Sequence, residues 1–175
     1  DLEVFHVTGV YKERTKKIVL GLASSWSERK GLYDFIKLAQ ILPDNFQIVL
    51  VGISDKIAKI LPPNIKTISH TESVKELVDV YNKAFIFVNP TYEDNFPTTN
   101  LEALACGTSV LTYQTGGSVE SVTSETGYVV PQGDVLALAE KIKAHKKNEY
   151  TIAACRNHSL LYDKNIAYNK YESAQ

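Results

Sequence analysis

No methionine occurs anywhere in the 175 residues, not even at the first position. Asp1 is therefore not expected to be a natural start, and the chain reads as a piece cut from a longer protein. Cysteine is scarce too. Cys106 and Cys155 sit in apolar helical surroundings without metal-ligand spacing, which fits a reduced, cytosolic compartment. No run approaches the roughly 18 apolar residues of a membrane span, and no signal peptide opens the chain. Charge of one sign is missing as well. The formal net charge is -1, and the sixteen lysines and three arginines are scattered, so nothing marks a nucleic-acid stripe. Neither GxGxxG nor GxxxxGK[ST] is present, which argues against dinucleotide redox chemistry and against an NTPase. The four histidines (His6, His70, His145, His158) form no metal-like grouping, and no bound metal is expected.

What is present is a regular alternation. KIVLGLAS (17–24) is a short β-branched run, and LYDFIKLAQIL (32–42) then places apolar residues at helical spacing. FQIVLVG (46–52) reads as the next strand, and DKIAKIL (55–61) as a short helix stopped by Pro62 and Pro63. IKTIS (65–69), SVKELVDVYNKA (73–84) and FIFVNP (85–90) continue the rhythm. TTNLEALACG (98–107), SVLTY (109–113), GYVV (127–130) and DVLALAEKIKAHKK (134–147) complete it. Strand runs apolar on both faces, separated by amphipathic helices, predict a parallel sheet covered on both sides. The expected fold is a doubly wound α/β domain over residues 1–148. Residues 149–175 are polar and tyrosine-rich with no matching strand. They are expected to form a helical tail that packs on the domain or towards a missing part of the protein.

In such sheets ligands sit beyond the carboxyl ends of the strands, which directs attention to the loops at 23–30, 52–55, 69–73, 89–98 and 113–120. In the first loop Arg29 and Lys30 precede Gly31 at a helix start. A cation pair beside free helix-terminal amides could clamp a pyrophosphate, although two adjacent cations also suit a solvated turn. Trp26 could shield a ligand or simply pack half-buried. In TYEDNFPTTNLEALACG (91–107), Pro97 suits the first helical position, where its missing amide hydrogen costs nothing. Phe96 would then be the N-cap, with a side chain that accepts nothing. The amides of Thr98, Thr99 and Asn100 need partners, which an anion, their own hydroxyls or water could supply. Asp94 and Glu102 lie eight residues apart. Carboxylates repel phosphate, so these two are better suited to accepting from hydroxyls, which sugars offer in pairs. Gly116 and Gly117, after the strand at 109–113, permit a positive-φ turn and close backbone approach. Glu93, His70 and Glu120 read as surface residues, and Cys106 as a small core residue.

Taken together, the segments KKIVLGLASSWSERKGLYDFIKLA, FQIVLVG, ELVDVYNKAFIFVNPTYEDNFPTTNLEALACGTSVLTYQTGGSVESV and GYVVPQGD resemble one known domain. It is the C-terminal, nucleotide-sugar-binding domain of the GT-B, family 4 retaining glycosyltransferases. The likeness covers most of residues 16–145 in the same order, and DLEVF looks like the segment that enters this domain after the interdomain linker. That family carries an E-x7-E motif. Its second acid matches Glu102, which the resemblance makes a ligand of the nucleotide ribose hydroxyls. The first matches Asp94, one methylene shorter than the family's glutamate, which would contact the donor sugar. Phe96, Pro97 and Thr98 match the stretch whose backbone approaches sugar and diphosphate, with the Thr98 and Thr99 amides towards phosphate.

Lys30 matches the family's phosphate-binding lysine. Ser24 and Ser25 stand where the family often has an arginine, for which Arg29 is read as a substitute. The resemblance thus implies a catalytic set of Asp94, Lys30 and Arg29. Its donor-binding set is Glu102, Phe96, Pro97, Thr98, Thr99, Gly116 and Gly117. The implied reaction moves a hexose from a nucleoside-diphosphate sugar to a glycan or lipid-linked acceptor with retention, in bacterial cell-surface polysaccharide synthesis. No cofactor is implied, because preorganised cations and helix amides stabilise the departing diphosphate. The implied partners are the nucleoside-diphosphate sugar and an N-terminal acceptor-binding domain, with no nucleic acid. The location would be cytoplasmic, with peripheral contact at the inner face of the plasma membrane through the full-length enzyme. Without its acceptor domain the fragment is expected to bind donor weakly and to transfer little or nothing. The alternatives are a non-catalytic nucleotide-sugar-binding module, or a GT-B relative such as a phosphorylase or epimerase.

Overall fold

A computed structural model describes residues 1–94 and 97–162. Phe96 and residues 163–175 of the expected tail lie outside the described residues. Strands and helices alternate in chain order: β1 (Lys17–Leu22), α1 (Leu32–Ile41), β2 (Phe46–Val51), α2 (Asp55–Ala58), β3 (Ile65–Ile68), α3 (Val74–Lys83), β4 (Ile86–Asn89). Then follow α4 (Thr98–Ala105), β5 (Val110–Tyr113), β6 (Gly127–Val130), α5 (Val135–Ala144) and α6 (Glu149–Ser159). The strands form one sheet in the order β3-β2-β1-β4-β5-β6, and every pairing is parallel. This is the doubly wound α/β arrangement. The chain winds outwards from β1 in one direction and then from β4 in the other. The order therefore reverses between β1 and β4, and a crevice opens past their carboxyl ends.

The two-residue period of the strands separates two cores. Val19 and Ile86 point to one face, where Phe35 and Leu38 of α1 and Leu138 and Ile142 of α5 cover them. Leu20 and Phe87 point to the other, against Val78 and Tyr81 of α3 and Leu104 of α4. These side chains are almost fully enclosed, and each burial contributes roughly 1.5–3 kcal/mol. Gly21, one residue before the end of β1, has a packing reason. A β-carbon there would stand 2.6 Å from the Phe35 ring, so the glycine lets α1 lie close on the sheet.

Several boundaries differ from the sequence expectation. Strand β1 ends at Leu22 and α2 at Ala58, both shorter than their apolar runs. Glu28–Lys30 and Gly116–Ser121 form short 3-10 turns that periodicity did not suggest. The expected tail begins as α6 and continues as a 3-10 turn at Leu160–Tyr162. Among the described residues no helix is long and apolar enough to cross a membrane.

Candidate functional site

Two loops meet at the reversal point. The loop after β1 runs through the Glu28–Lys30 turn to Gly31, which adopts φ 85° and starts α1. Only glycine fits here, because a β-carbon would overlap the Pro90 carbonyl in the loop after β4. The contact is reinforced by the Tyr92 amide, which donates to the Arg29 carbonyl at 2.8 Å. These backbone contacts bring Lys30 and Asp94 face to face, with Nζ donating to Oδ2 at 3.3 Å.

The crevice between the loops is a cavity of about 250 Å³, bordered by Trp26, Lys30, Asp94, Pro97, Thr98 and Thr99 among the described residues. That is smaller than the roughly 300–1,000 Å³ that encloses a drug-sized ligand. It can seat a diphosphate or a sugar ring, with the remainder of a larger ligand outside it. Trp26 is mainly structural. Its ring is buried edge-on against Phe35, and its indole N–H donates to the Val51 carbonyl at 2.8 Å, leaving one side to wall the cavity.

Helix α4 opens into the same crevice. Pro97 is its N-cap rather than its first helical residue, which corrects the expectation that put Phe96 in that place. With ψ at 116° the proline is still extended, and the chain turns helical one residue later. Its φ of -70° suits either position. Of the three amides expected to need partners, that of Asn100 has one that was not considered, since it donates to the Pro97 carbonyl at 3.2 Å. Pro97 offers no side-chain cap for the first turn. The contrast with the helices away from the crevice is sharp. Ser54, Ser73, Asp134 and Asn148 cap α2, α3, α5 and α6 with their side chains. Among the helices of the described residues only α1 and α4, the two that begin at the crevice, lack such a cap.

Glu102 lies one turn beyond Thr98 on the same helical face. It does not border the cavity. Its carboxylate accepts from the Tyr81 hydroxyl at 2.8 Å, and burial raises its pKa above the ordinary glutamate value against the pull of that bond. Arg29 stands apart from the cavity, opposite Glu93 at 3.9 Å. Those two side chains are 60% and 80% exposed, against 30% and 18% for Lys30 and Asp94, so the pair is a solvated one. Gly116 and Gly117 stand behind Asp94. Gly116, at φ 40°, abuts the Asp94 carbonyl, and the Gly117 amide donates to it at 3.2 Å. Gly116 supplies the positive φ of the turn, and Gly117 has none. Among the described residues no group of three or more His, Cys, Asp or Glu could hold a metal.

Several residues that position the site escaped the sequence reading. Asn100 is wholly buried, accepts from the Asn89 amide at 3.0 Å and donates to the Ser118 and Ser121 hydroxyls at 3.1 Å each. Thr112 joins the network through Ser118 at 2.6 Å and the Asn89 carbonyl at 2.9 Å. Each member has at least one partner within the network, so β4, β5 and α4 are tied together beneath the crevice. An asparagine, a poor helix former, just ahead of the apolar run LEALA was the available signal.

The family model of the Glycosyl transferases group 1 matches residues 8–160. The chain belongs to that family. This group 1 domain is 28% identical over 146 residues to the capsular polysaccharide biosynthesis glycosyltransferase CapM of Staphylococcus aureus, covering 76% of the chain and 38% of CapM. It is 30% identical over 165 residues to the N,N'-diacetylbacillosaminyl-diphospho-undecaprenol alpha-1,3-N-acetylgalactosaminyltransferase of Campylobacter jejuni, covering 89% and 43%. The chain thus spans less than half the length of these curated relatives. In fold it matches HepE of Anabaena, solved with UDP and glucose, at a TM-score of 0.78 and 18% identity over 99% of this chain and 54% of HepE. It also matches the C-terminal domain of the group 1 protein LpcC of Francisella tularensis, at a TM-score of 0.73 and 19% identity over 92% of this chain and 96% of that domain. The group 1 domain therefore has the Rossmann-like α/β architecture of GT-B glycosyltransferases.

Proposed function

We propose that this chain is the C-terminal, donor-binding half of a family 4 retaining glycosyltransferase. In the whole enzyme it would present a hexose on a nucleoside diphosphate to a glycan or lipid-linked acceptor, in bacterial cell-surface polysaccharide synthesis. The observation that carries the reading is the Lys30–Asp94 pair at the mouth of a crevice into which uncapped α4 opens. Relatives named for capsular polysaccharide and undecaprenol-linked sugar transfer support the acceptor class, and the UDP held by HepE supports the donor class.

Each residue then has a task that its chemistry suits. The Lys30 ammonium and the first amides of α4 neutralise the diphosphate, whose charge grows as the glycosidic bond to it breaks. Asp94 gives up Lys30 to the phosphate and accepts from sugar hydroxyls instead. Glu102, one turn along α4, accepts from the ribose, and the Tyr81 hydroxyl fixes its rotamer. The missing half would close the crevice and bring the acceptor, so the chain alone would bind donor weakly and transfer little. No cofactor is assigned. The working place is the cytoplasmic face of the membrane, reached through the full-length enzyme.

The test is a titration of the chain with UDP, ADP and GDP while backbone amide resonances are followed. Shifts at Lys30, Thr98 and Thr99 are expected. A folded sample unperturbed at millimolar concentrations of all three would sink the reading.

A further inference from the structure

Asp34 is a buried acid in α1 that the proposed chemistry does not use. It is 5% exposed, and its Oδ2 accepts from two tyrosine hydroxyls, Tyr92 at 2.5 Å and Tyr113 at 2.7 Å. The two rings meet edge to face with centroids 5.5 Å apart. One carboxylate oxygen therefore ties three elements together: α1, the loop after β4 that carries Asp94, and the end of β5. The Tyr92 backbone is held as well, its amide by Arg29 and its carbonyl by the Gln132 side chain at 2.8 Å. Asp94 follows two residues later with its own carbonyl pinned by Gly117.

We propose that Asp34 is a positioning residue that sets the spacing of Lys30 and Asp94 across the crevice by anchoring Tyr92 and Tyr113 to the start of α1. Lys30 ends the 3-10 turn that Gly31 joins directly to α1, and Asp34 lies in the first turn of that helix, so the anchor sits only a short, hydrogen-bonded link away from the phosphate-facing cation. The other end of the anchor fixes the loop whose Asp94 faces that cation. Burial, with Asp34 as the next contribution, pushes the Tyr92 hydroxyl up to about 12 and the Tyr113 hydroxyl higher, so both remain proton donors throughout the physiological range. A site displaced by an ångström loses binding and rate steeply, which is why an anchor outside the crevice matters.

The proposal rests on the donor-site reading, and one experiment separates the two. The chain and its Asp34→Asn and Tyr92→Phe variants are titrated at 25 °C with the tightest binder among UDP, ADP and GDP. Amide resonances of residues 29–31 and 91–94 are recorded alongside. Asp34→Asn keeps the shape but turns a charged acceptor into a neutral amide. It is expected to weaken the nucleotide about tenfold and to move those resonances while β1 and α3 stay unchanged. Tyr92→Phe removes one hydroxyl from a half-buried ring and is expected to weaken binding about threefold. It carries the test if Asp34→Asn does not fold. A merely structural role would lower the unfolding temperature and leave affinity at 25 °C untouched. That result, beside a wild type that binds, overturns the positioning role alone. A wild type that binds none of the three nucleotides overturns the donor site and the proposal with it.

Discussion

The two ends of the sheet hold their cations in opposite ways. At the carboxyl end, Lys30 meets one carboxylate at 3.3 Å beside a cavity and beside helix starts without side-chain caps. At the amino end, Lys147 donates to the Ala84 and Asn82 carbonyls at 2.6 and 3.3 Å and to the Thr108 hydroxyl at 3.0 Å. Arg156 likewise donates to the carbonyls of Leu2, Phe5 and Ala105, strapping the N-terminal segment onto α4 and α6. Burial depresses the Lys147 ammonium to about 8. A cation placed for structure uses several donors on backbone groups that cannot leave. A cation placed for a ligand keeps one exchangeable partner. The difference lies in the neighbours, not in the residue type.

The comparison breaks most visibly in acid. His145 sits at the amino end, 5% exposed, between Phe85 and Tyr128, with the Tyr128 hydroxyl on its Nδ1 at 2.8 Å. Burial lowers its pKa from 6.5 to about 4, with Lys147 adding to the effect. A depressed folded pKa means that the unfolded chain takes up the proton first. This contribution to stability is complete above pH 6.5 and lost as the pH falls through 4. The loss is about 3 kcal/mol across that window. Urea denaturation of the wild type and His145→Gln at pH 7 and pH 4 isolates it, since the variant should lose less by about that amount. An equal loss in both proteins would remove His145 from the account.

Arg156→Met removes three charge-assisted bonds to carbonyls at a half-buried position. It should cost about 2 kcal/mol in thermal or urea unfolding, with nucleotide affinity unchanged. A loss of affinity without a loss of stability would mean that the two ends are not separable in this way.

How far the two ends could be read from the sequence follows from the same contrast. The alternation of β-branched runs with amphipathic helices revealed the sheet and its covering, because both periods are local. That Asp94 and Lys30 would border the crevice was legible because polar residues crowded the ends of predicted strands, where ligands bind in this architecture. Glu102 stood out as an acid inside an apolar helical run. Asp34 is the same anomaly in LYDFIKLAQIL, and the same question asked of it would have predicted a buried partner. The identity of that partner was out of reach. Tyr92 and Tyr113 lie 58 and 79 residues away, and only the winding of the sheet brings them together. Lys147 and Arg156 left no mark for a related reason. Their partners are backbone carbonyls, which every residue has. The N-cap of α4 was displaced by one residue because proline's φ suits both N-cap and N1, and ψ is not encoded by its ring.

Lys30→Ala should do the reverse of Arg156→Met. The side chain is partly exposed and its one partner among the described residues, Asp94, can turn to water, so unfolding should change by less than about 0.5 kcal/mol. Nucleoside diphosphate affinity should fall about tenfold, equivalent to about 1.4 kcal/mol, and the dependence on salt should weaken with it. Calorimetric titration at two ionic strengths checks both. Unchanged affinity would detach Lys30 from the ligand and leave the pair as a surface contact.

The smallest effect is expected one residue earlier. Arg29→Ala removes a cation adjacent in sequence to Lys30, yet its guanidinium faces Glu93 at 3.9 Å in solvent and does not border the cavity. Water and salt screen such a charge, so affinity should change about twofold, close to 0.4 kcal/mol, and stability by no more. The backbone of Arg29 does more than its side chain, since its carbonyl receives the Tyr92 amide and every substitution except proline preserves that carbonyl's setting. Measuring Arg29→Ala beside Lys30→Ala under identical conditions therefore separates the two members of the RK pair. If the arginine proved the costlier loss, the bound nucleotide must draw its guanidinium into the crevice, and the division between the two kinds of cation would need a third class that moves on binding.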